Sequence, residues 1–443
     1  MPTASSSSSS QLRALALAHG TSAVLVGVGG SGMRGLATLL LEAGWDVWGS
    51  DQKPLPENDV LWEKGLQYFE GMVTPSCSWV VRSAAVSDKD DVVNKAVQDG
   101  AKSILYSEFL GEISRIRPVI AVAGSHGKTT CSAWLAYGFR SAGVEMGFLV
   151  GDNIPQLGTS ASWGSPDLPL IMESCEYARS FHFLTPEQIA LINVDAEHPD
   201  TYPGGLQEVE EAFQVFLSNL NSNGKIFAGL EAPRSFEKYY CEKWQKCSAT
   251  DPTQKIGLYG SHNRLNAALV SEIWRDYGLK ESEIEYGLST FLGASRRLEL
   301  LGEVNADNGA NITLVSDYAH HPVEVGATIS AAKERWPKHH LLAVMQPHQA
   351  QRFHAYRNQF ASCLDLADEV VLLDVYRARD PESLQADVRE LIPELKQRNL
   401  SRNLTYFSDT NSIIKHLHTN VDCDTVVLGL GAGDIHDILC RLR

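Results

Sequence analysis

The stretch Gly124-Ser125-His126-Gly127-Lys128-Thr129-Thr130 gathers in one turn the groups that a nucleoside triphosphate needs. Glycines let the backbone bend with its N–H groups inward, a lysine can reach the β- and γ-phosphates, and a threonine hydroxyl can face Mg²⁺. An apolar run, 119–124, leads in, and a helical pattern, 131–142, leads out. That is the setting a phosphate loop requires, and the helix start adds partial positive charge. The frame is short, because the standard pattern has glycine where this chain has Val122. The alternative is a tight strand–helix turn with a solvated lysine; the flanking elements favour the phosphate loop.

An earlier glycine turn makes a second candidate. Gly27-Val28-Gly29-Gly30-Ser31-Gly32 fits G-x-G-x-x-G between a strand and a helix, and Asp51 ends the next strand candidate, 46–51. The direct reading is a dinucleotide site, hence an NAD-dependent oxidoreductase. The same geometry holds any diphosphate, including that of a UDP-sugar, and a purely structural turn is the third option. Acids gather behind two further runs, with Glu173 and Glu176 after one and Asp195, Glu197, His198 and Asp200 after the other. Mg²⁺ takes oxygen ligands and few from protein, with phosphates supplying the rest. Glu173 and His198 brought near Lys128 and Thr129 would therefore suit metal–ATP, whereas Glu176 and Asp200 read equally well as solvated acids.

These residues share a position relative to the elements that must hold them. Apolar runs at 23–30, 119–124, 169–176, 189–198, 312–321, 341–348, 370–376 and 425–434 each end in Gly, Asp, Glu or His, with helical patterns such as 131–142 and 324–336 between them. Continuous apolar strands alternating with helices predict an α/β fold with mainly parallel sheets, whose ligands sit beyond the carboxyl ends of the strands. At 443 residues and 44% hydrophobic the chain can build several full cores. Its formal charge of −16 argues against nucleic acid or an anionic membrane as a bulk-charge partner. No apolar run is long enough to span a bilayer. Residues 1–20 lack the basic start of a secretory signal and read as a disordered tail. The eight cysteines are scattered, with no C-x-x-C and no zinc spacing, as for reduced thiols in the cytoplasm.

Taken in order, the motifs resemble those of the Mur ligase family, over a span from about residue 22 to the end. The family's short loop G-T-x-G-K-T-T is matched by residues 124–130, with Ser125 for Thr, which accounts for the missing glycine. ESCEYARSF (173–181) resembles its acidic segment, and NVDAEHPD (193–200) its N-x-x-x-D-H-x-D, with Glu197 in place of Asp. GSHNRLNA (260–267), SRRLE (295–299), DYAHHP (317–322), QPHQAQR (346–352) and GAGDI (431–435) are similar to its later motifs.

The resemblance implies a Rossmann-like N-terminal domain (21–117) for a UDP-sugar, a P-loop ATPase central domain (118–294) and a Rossmann-like C-terminal domain (295–443). It implies an ATP-dependent amide ligase of peptidoglycan synthesis that acts through an acyl phosphate, with Mg²⁺. UDP-N-acetylmuramate and L-alanine would be its substrates, and the chain a monomer or weak dimer. Carried over residue by residue, Gly124 to Thr130 cradle ATP, with His262, Asn263 and Asn266 beside it. Thr129 and Glu173 hold one metal ion and His198 a second. Lys128 and Arg297 act on the phosphates, and Asp317 contacts the nucleotide from the same side as Arg297. Gly27, Gly29, Gly30, Ser31, Gly32, Met33, Asp51 and Ser83 hold the UDP-sugar, and His320, His321, His348 and Arg352 serve the amino acid and muramoyl ends. Closure of the third domain on the second, hinged near Arg117-Pro118 and Gly293, is a further expectation. Rival readings are a dehydrogenase resting on Gly27 to Gly32 with Asp51, a nucleotide-gated binding module, and a relative that adds a preformed tripeptide to the same sugar nucleotide.

Overall fold

In this computed structural model the described residues are 21–443 other than 72–74, 250, 252, 379, 382, 400–401 and 422–423; the tail expected at 1–20 and Cys423 lie outside them. Three sheets follow one another along the chain. The first holds β1 (Ser22–Val26), β2 (Asp46–Ser50), β3 (Gln67–Tyr68), β4 (Trp79–Arg82) and β5 (Lys102–Leu105), in the order β3-β2-β1-β4-β5 and parallel throughout.

The second sheet holds β6 (Val119–Ala123), β7 (Gly147–Ile154), β8 (Thr159–Ser162), β9 (Leu170–Glu173), β10 (Gln188–Asn193), β11 (Lys225–Glu231) and β12 (Trp244–Lys246). Its order is β12-β11-β10-β6-β9-β7-β8, with the β7–β8 pair antiparallel. The third holds β13 (Glu299–Asn305), β14 (Asn311–Asp317), β15 (His340–Met345), β16 (Glu369–Leu373), β17 (Asn403–Phe407) and β18 (Thr425–Leu430), in the order β13-β14-β18-β15-β16-β17. Among the described residues only β13–β14 is antiparallel there. The α/β class with mainly parallel sheets is therefore as the apolar runs predict.

The third sheet explains why its strands read as unbroken apolar runs. Val315, Ala343, Met345, Val370, Leu372, Val426 and Leu428 point into one core, and Leu314, Leu342, Val344, Val371, Leu373 and Val427 into another. Successive side chains face opposite sides of a strand, so burying both faces requires every position to be apolar.

Two compact units result. One comprises 21–195, 206–255 and 266–291 and carries the first two sheets; the other comprises 196–205, 256–265 and 292–443 and carries the third. Within the first unit, helix Ser31–Glu42 packs on β7 and β8, so close that a Cβ on Gly35 would stand 2.5 Å from Leu149 Cδ1. Glu42 accepts hydrogen bonds from Ser162 Oγ and the Trp163 amide. Arg117, expected at a hinge, is 4% exposed and donates to the carbonyls of Trp163, Ser165 and Leu168. A guanidinium so committed makes this a clamped joint, because swinging it would strand several buried donors and acceptors.

Candidate functional site

The phosphate loop joins β6 to helix Lys128–Ser141. Gly127 caps that helix at φ +82°, a left-handed conformation that favours glycine. Lys128 folds back over the loop, its Nζ donating to the carbonyls of Gly124 (2.7 Å) and Ser125 (3.1 Å). It also pairs with Glu176, whose carboxylate lies 2.8 Å away and is fully buried. Burial alone would lower the Lys128 pKa, but the Glu176 charge reverses this and holds the ammonium above its ordinary value. Glu176 is therefore no solvated acid. The sequence supplied the residue but not the pairing, which spans strand ends of the sheet.

Thr129 Oγ1 donates to Glu173 Oε1 at 3.0 Å, and the other Glu173 oxygen accepts the Gly151 amide at 2.6 Å. A hydroxyl and a carboxylate oxygen side by side at the loop are hard donors few in number, which fits Mg²⁺ that completes its shell with phosphate and water. The rest of the loop is braced from β10. Asn193 Oδ1 accepts the His126 amide, Ser125 Oγ donates to the Asp195 carbonyl, and His126 Nε2 stands 3.3 Å from Asp195 Oδ2. Asn266 is 4% exposed and abuts Gly127, where a Cβ would meet its Oδ1 at 3.1 Å. Sequence reasoning passed over Asn193 and Asp195 as loop braces because nothing in their own neighbourhood marks that role.

The earlier glycine turn is built as its motif suggests. Gly27, at φ +87°, and Val28 both donate to the Ser50 carbonyl, and Asp51 Oδ2 accepts the Gly29 amide at 2.9 Å. Ser83 Oγ lies 2.7 Å from where a Gly27 Cβ would be, so Ser83 closes on this turn. Ser31 and Gly32 open helix Ser31–Glu42 with Gly30 as its cap, while Met33 is 3% exposed and packs inward. A cavity of about 150 Å³ then runs from Gly32 and Tyr106 past Leu149 and Gly151 to Glu173 and Cys175. It connects the first glycine turn to the residues that suit a metal ion. Tyr106 stands against Gly32, and burial raises its hydroxyl pKa well above normal, helped by Glu173. Tyr106 carries no motif and was not legible beforehand.

The second unit collects the remaining predicted residues. Glu197, 5% exposed, lies 3.2 Å from Arg352 Nη2 and 3.7 Å from His198 Nε2. Burial would raise the Glu197 pKa, yet Arg352, His198, His320 and His321 together hold it well below the carboxylate range. Arg352, expected to meet substrate, is 2% exposed and also donates to Gln349 Oε1 at 3.0 Å, with His348 Nδ1 at 3.5 Å. His198 has φ +51°, a strained value for a non-glycine residue. His348 stacks on Tyr376 and meets His320 edge-on. Burial pushes His320 down to about 4, so it is neutral at pH 7. His321, 2% exposed, caps helix Pro322–Arg335 by accepting from the Val323 amide.

Asp317 ends β14 and accepts the amides of Leu298 and Ala319. Arg297 lies over the Tyr318 ring at 5.4 Å. Asn263 donates to the Tyr259 carbonyl, and burial, then Arg297, lowers the His262 pKa. Burial pushes Asp317 up to about 6 from 3.8, against the downward pull of Arg297 and the two amides. The folded state then holds this proton more tightly than the unfolded chain, so its contribution is full below 3.8 and lost as pH rises through about 6. Wild-type stability should carry a falling component across that range which Asp317→Asn removes. Urea midpoints of both proteins at several pH values check it, and parallel curves would refute it.

Residues 23–117 match the Mur ligase family, catalytic domain, and residues 296–433 match the Mur ligase, glutamate ligase domain. UDP-N-acetylmuramate–L-alanine ligase of Geobacter sulfurreducens is 32% identical over 93% of this chain and 94% of its own length. Among solved structures, UDP-N-acetylmuramate–alanine ligase of Thermotoga maritima superposes with a TM-score of 0.75 at 22% identity, covering 95% of this chain and 98% of that one. The murein peptide ligase of Psychrobacter arcticus gives 0.67 at 24%, with the same coverages.

Proposed function

Because the chain belongs to the Mur ligase family, we propose that it joins the carboxyl group of UDP-N-acetylmuramate to the amino group of L-alanine at the expense of ATP, in peptidoglycan precursor synthesis. The observation that carries this reading is the cavity from Gly32 to Glu173. A sugar nucleotide whose diphosphate lies on the first glycine turn would extend its muramoyl carboxylate along it toward Lys128 and Thr129. A dehydrogenase would give the phosphate loop at the far end nothing to do.

Carboxylate is a poor acyl donor and must be activated. One of its oxygens attacks the γ-phosphorus of ATP, the bond to the ADP oxygen breaks, and an acyl phosphate forms. The neutral amine of alanine then attacks the carbonyl carbon, the C–O bond to phosphate breaks, and the nitrogen gives up its proton as phosphate leaves. Phosphoryl transfer depends mainly on positioning and charge neutralisation. Lys128 supplies a fixed positive charge for the transferring group, and the N-terminal amides of helix Lys128–Ser141 would hold its oxygens. Mg²⁺ held by Thr129 and Glu173 would neutralise phosphate charge. We assign His262, Asn263, Arg297 and Asp317 to the nucleotide, and His320, His321, His348 and Arg352 to the amino acid and muramoyl ends. His198 is assigned to a second metal ion.

No helix among the described residues is long and apolar enough to cross a membrane. The reading puts the reaction in the cytoplasm, on a monomer or weak dimer with no nucleic acid partner. Phosphate release with ATP, Mg²⁺ and UDP-N-acetylmuramate should then require free L-alanine, with glycine and L-serine weaker. One methyl group in a pocket is worth only about 1–3 kcal/mol, so the preference over glycine should be modest. Release driven by a tripeptide alone would transfer the assignment to peptide recycling, and release indifferent to every acceptor would remove the ligase reading.

A further inference from the structure

The cavity between the first glycine turn and Glu173 has no lysine or arginine among its described lining residues, and Glu173 is the carboxylate there. A sugar nucleotide brings a negatively charged diphosphate to its mouth, so neutral donors must meet those oxygens. The hydroxyls of Tyr106, Ser107, Ser174 and Ser180 line the cavity. Ser174 and Ser180 are spent locally, donating to the carbonyls of Met172 (3.0 Å) and Tyr177 (2.7 Å). Tyr106 is the one at the turn itself. Its Oη stands 3.0 Å and its Cζ 3.1 Å from where a Gly32 Cβ would be, and the atoms nearest to that point all belong to this ring.

Given the sugar-nucleotide ligase reading, on which this rests, we propose that the Tyr106 hydroxyl binds the substrate, donating a hydrogen bond to a diphosphate oxygen held at Gly32. The hydroxyl makes no hydrogen bond of its own among the described residues. Tyr106 is half-buried on the cavity wall, and a polar group so placed is costly until a partner meets it. Burial, then the Glu173 charge, raises its pKa above the ordinary value of 10.0. The phenol therefore stays protonated at neutral pH and acts as a donor. An O–H group facing a charged phosphate oxygen makes a short, strong bond. Being neutral, it also leaves the Glu173 carboxylate unpaired with any cation from this wall and open to a metal ion.

The elements on both sides hold this hydroxyl in place. Tyr106 opens helix Tyr106–Ile116, whose Glu108 carboxylate accepts the Leu105 amide at 3.0 Å. Further along, Gly111 packs on Phe183, whose carbonyl oxygen would lie 2.7 Å from a Cβ there. Ser114 Oγ accepts the Thr185 amide at 3.0 Å. The helix is thus fixed to the segment that follows Glu173 and Cys175. Gly32 lies in the first turn of helix Ser31–Glu42, and its lack of a Cβ is what admits the ring. A donor fixed in this way loses little freedom when the substrate arrives, so more of its bond appears as affinity.

Tyr106→Phe removes the hydroxyl and keeps the ring that fills the Gly32 gap, so the variant should fold. In the full chain its KM for UDP-N-acetylmuramate should rise at least about tenfold, the loss of a hydrogen bond to a charged group. Its kcat and its KM for ATP and L-alanine should stay within about twofold of the parent, because only uniform binding is removed. Calorimetry with UDP should show the same weakening, since the diphosphate is the partner. A ring that merely packs would leave all these constants where they are. Unchanged KM and UDP affinity in the folded variant would overturn the proposal, and so would a loss confined to kcat. Weaker UDP-N-acetylmuramate with UDP affinity unchanged would put the hydroxyl on the muramoyl group and overturn the diphosphate assignment. A parent that binds UDP yet releases no phosphate with ATP, UDP-N-acetylmuramate and L-alanine would sink the ligase reading alone, and UDP affinity would still decide the role of Tyr106.

Discussion

Lys128→Met should lower ligase turnover by on the order of a hundred- to a thousandfold, the loss typical of removing one preorganised group from a developing anion. It should also destabilise the protein. Glu176 is fully buried against this ammonium, and deleting one partner of a buried ion pair costs about 3–5 kcal/mol because a charge is left behind in a poor solvent. The two effects separate in the double variant. Lys128→Met with Glu176→Gln should regain most of the stability, since no buried charge remains, yet stay inactive. Urea melts and phosphate release on the four proteins of this cycle decide the matter. A double variant as unstable as Lys128→Met would mean that the pair is not what holds the loop.

Arg352→Met should be the most damaging change in the second unit. At neutral pH His320 is uncharged, being pushed down to about 4, and Arg352 lies 3.2 Å from Glu197 as its main cation. Removing it should cost about 3–5 kcal/mol. The pH dependence supplies a signature that simple loss of packing would not. In the parent, Glu197 is depressed below its ordinary value, so its stabilising contribution is present above the unfolded pKa and is lost as pH falls through the folded one. Without Arg352, burial becomes the dominant influence and raises the carboxyl. Stability of the variant should therefore gain a component between pH 7.5 and pH 5 that the parent lacks, because the parent's Glu197-linked loss lies below the unfolded value of 4.5. Melts at pH 5 and pH 7.5, with Glu197→Gln in both backgrounds, test this. Equal slopes in parent and variant would count against the pairing as the cause.

The residues that sequence reading brought together share one physical trait: their requirement is local. A strand entering a helix through Gly124 and Gly127 must turn with its amides inward, and Lys128 and Thr129 sit on the first turn whatever surrounds them. The Gly27 to Gly32 turn is legible for the same reason, as is the Asp51 carboxylate that closes on it. Strands buried on both faces were equally plain, since β6, β9, β10, β14, β15, β16 and β18 have no polar face to interrupt the apolar run. The six edge strands among the described residues, β3, β5, β8, β12, β13 and β17, went unrecognised, as did the interior strands β4, β7 and β11. Short segments such as QY, TSAS and WQK bury little, and their identity as strands comes from the neighbour they pair with.

Tertiary structure alone decided which distant charges neutralise one another. Glu176 meets Lys128 across 48 positions, and Glu197 meets Arg352 across 155. Segments 196–205 and 256–265 pack with the third sheet although they lie within the second block of sequence. Tyr106 lines the cavity at Glu173 only because two sheets fold into one unit. Motif spacing reports what a backbone must do over a few residues. Burial, and the long-range pairing that makes burial of charge tolerable, depends on contacts that exist only once the chain has closed on itself.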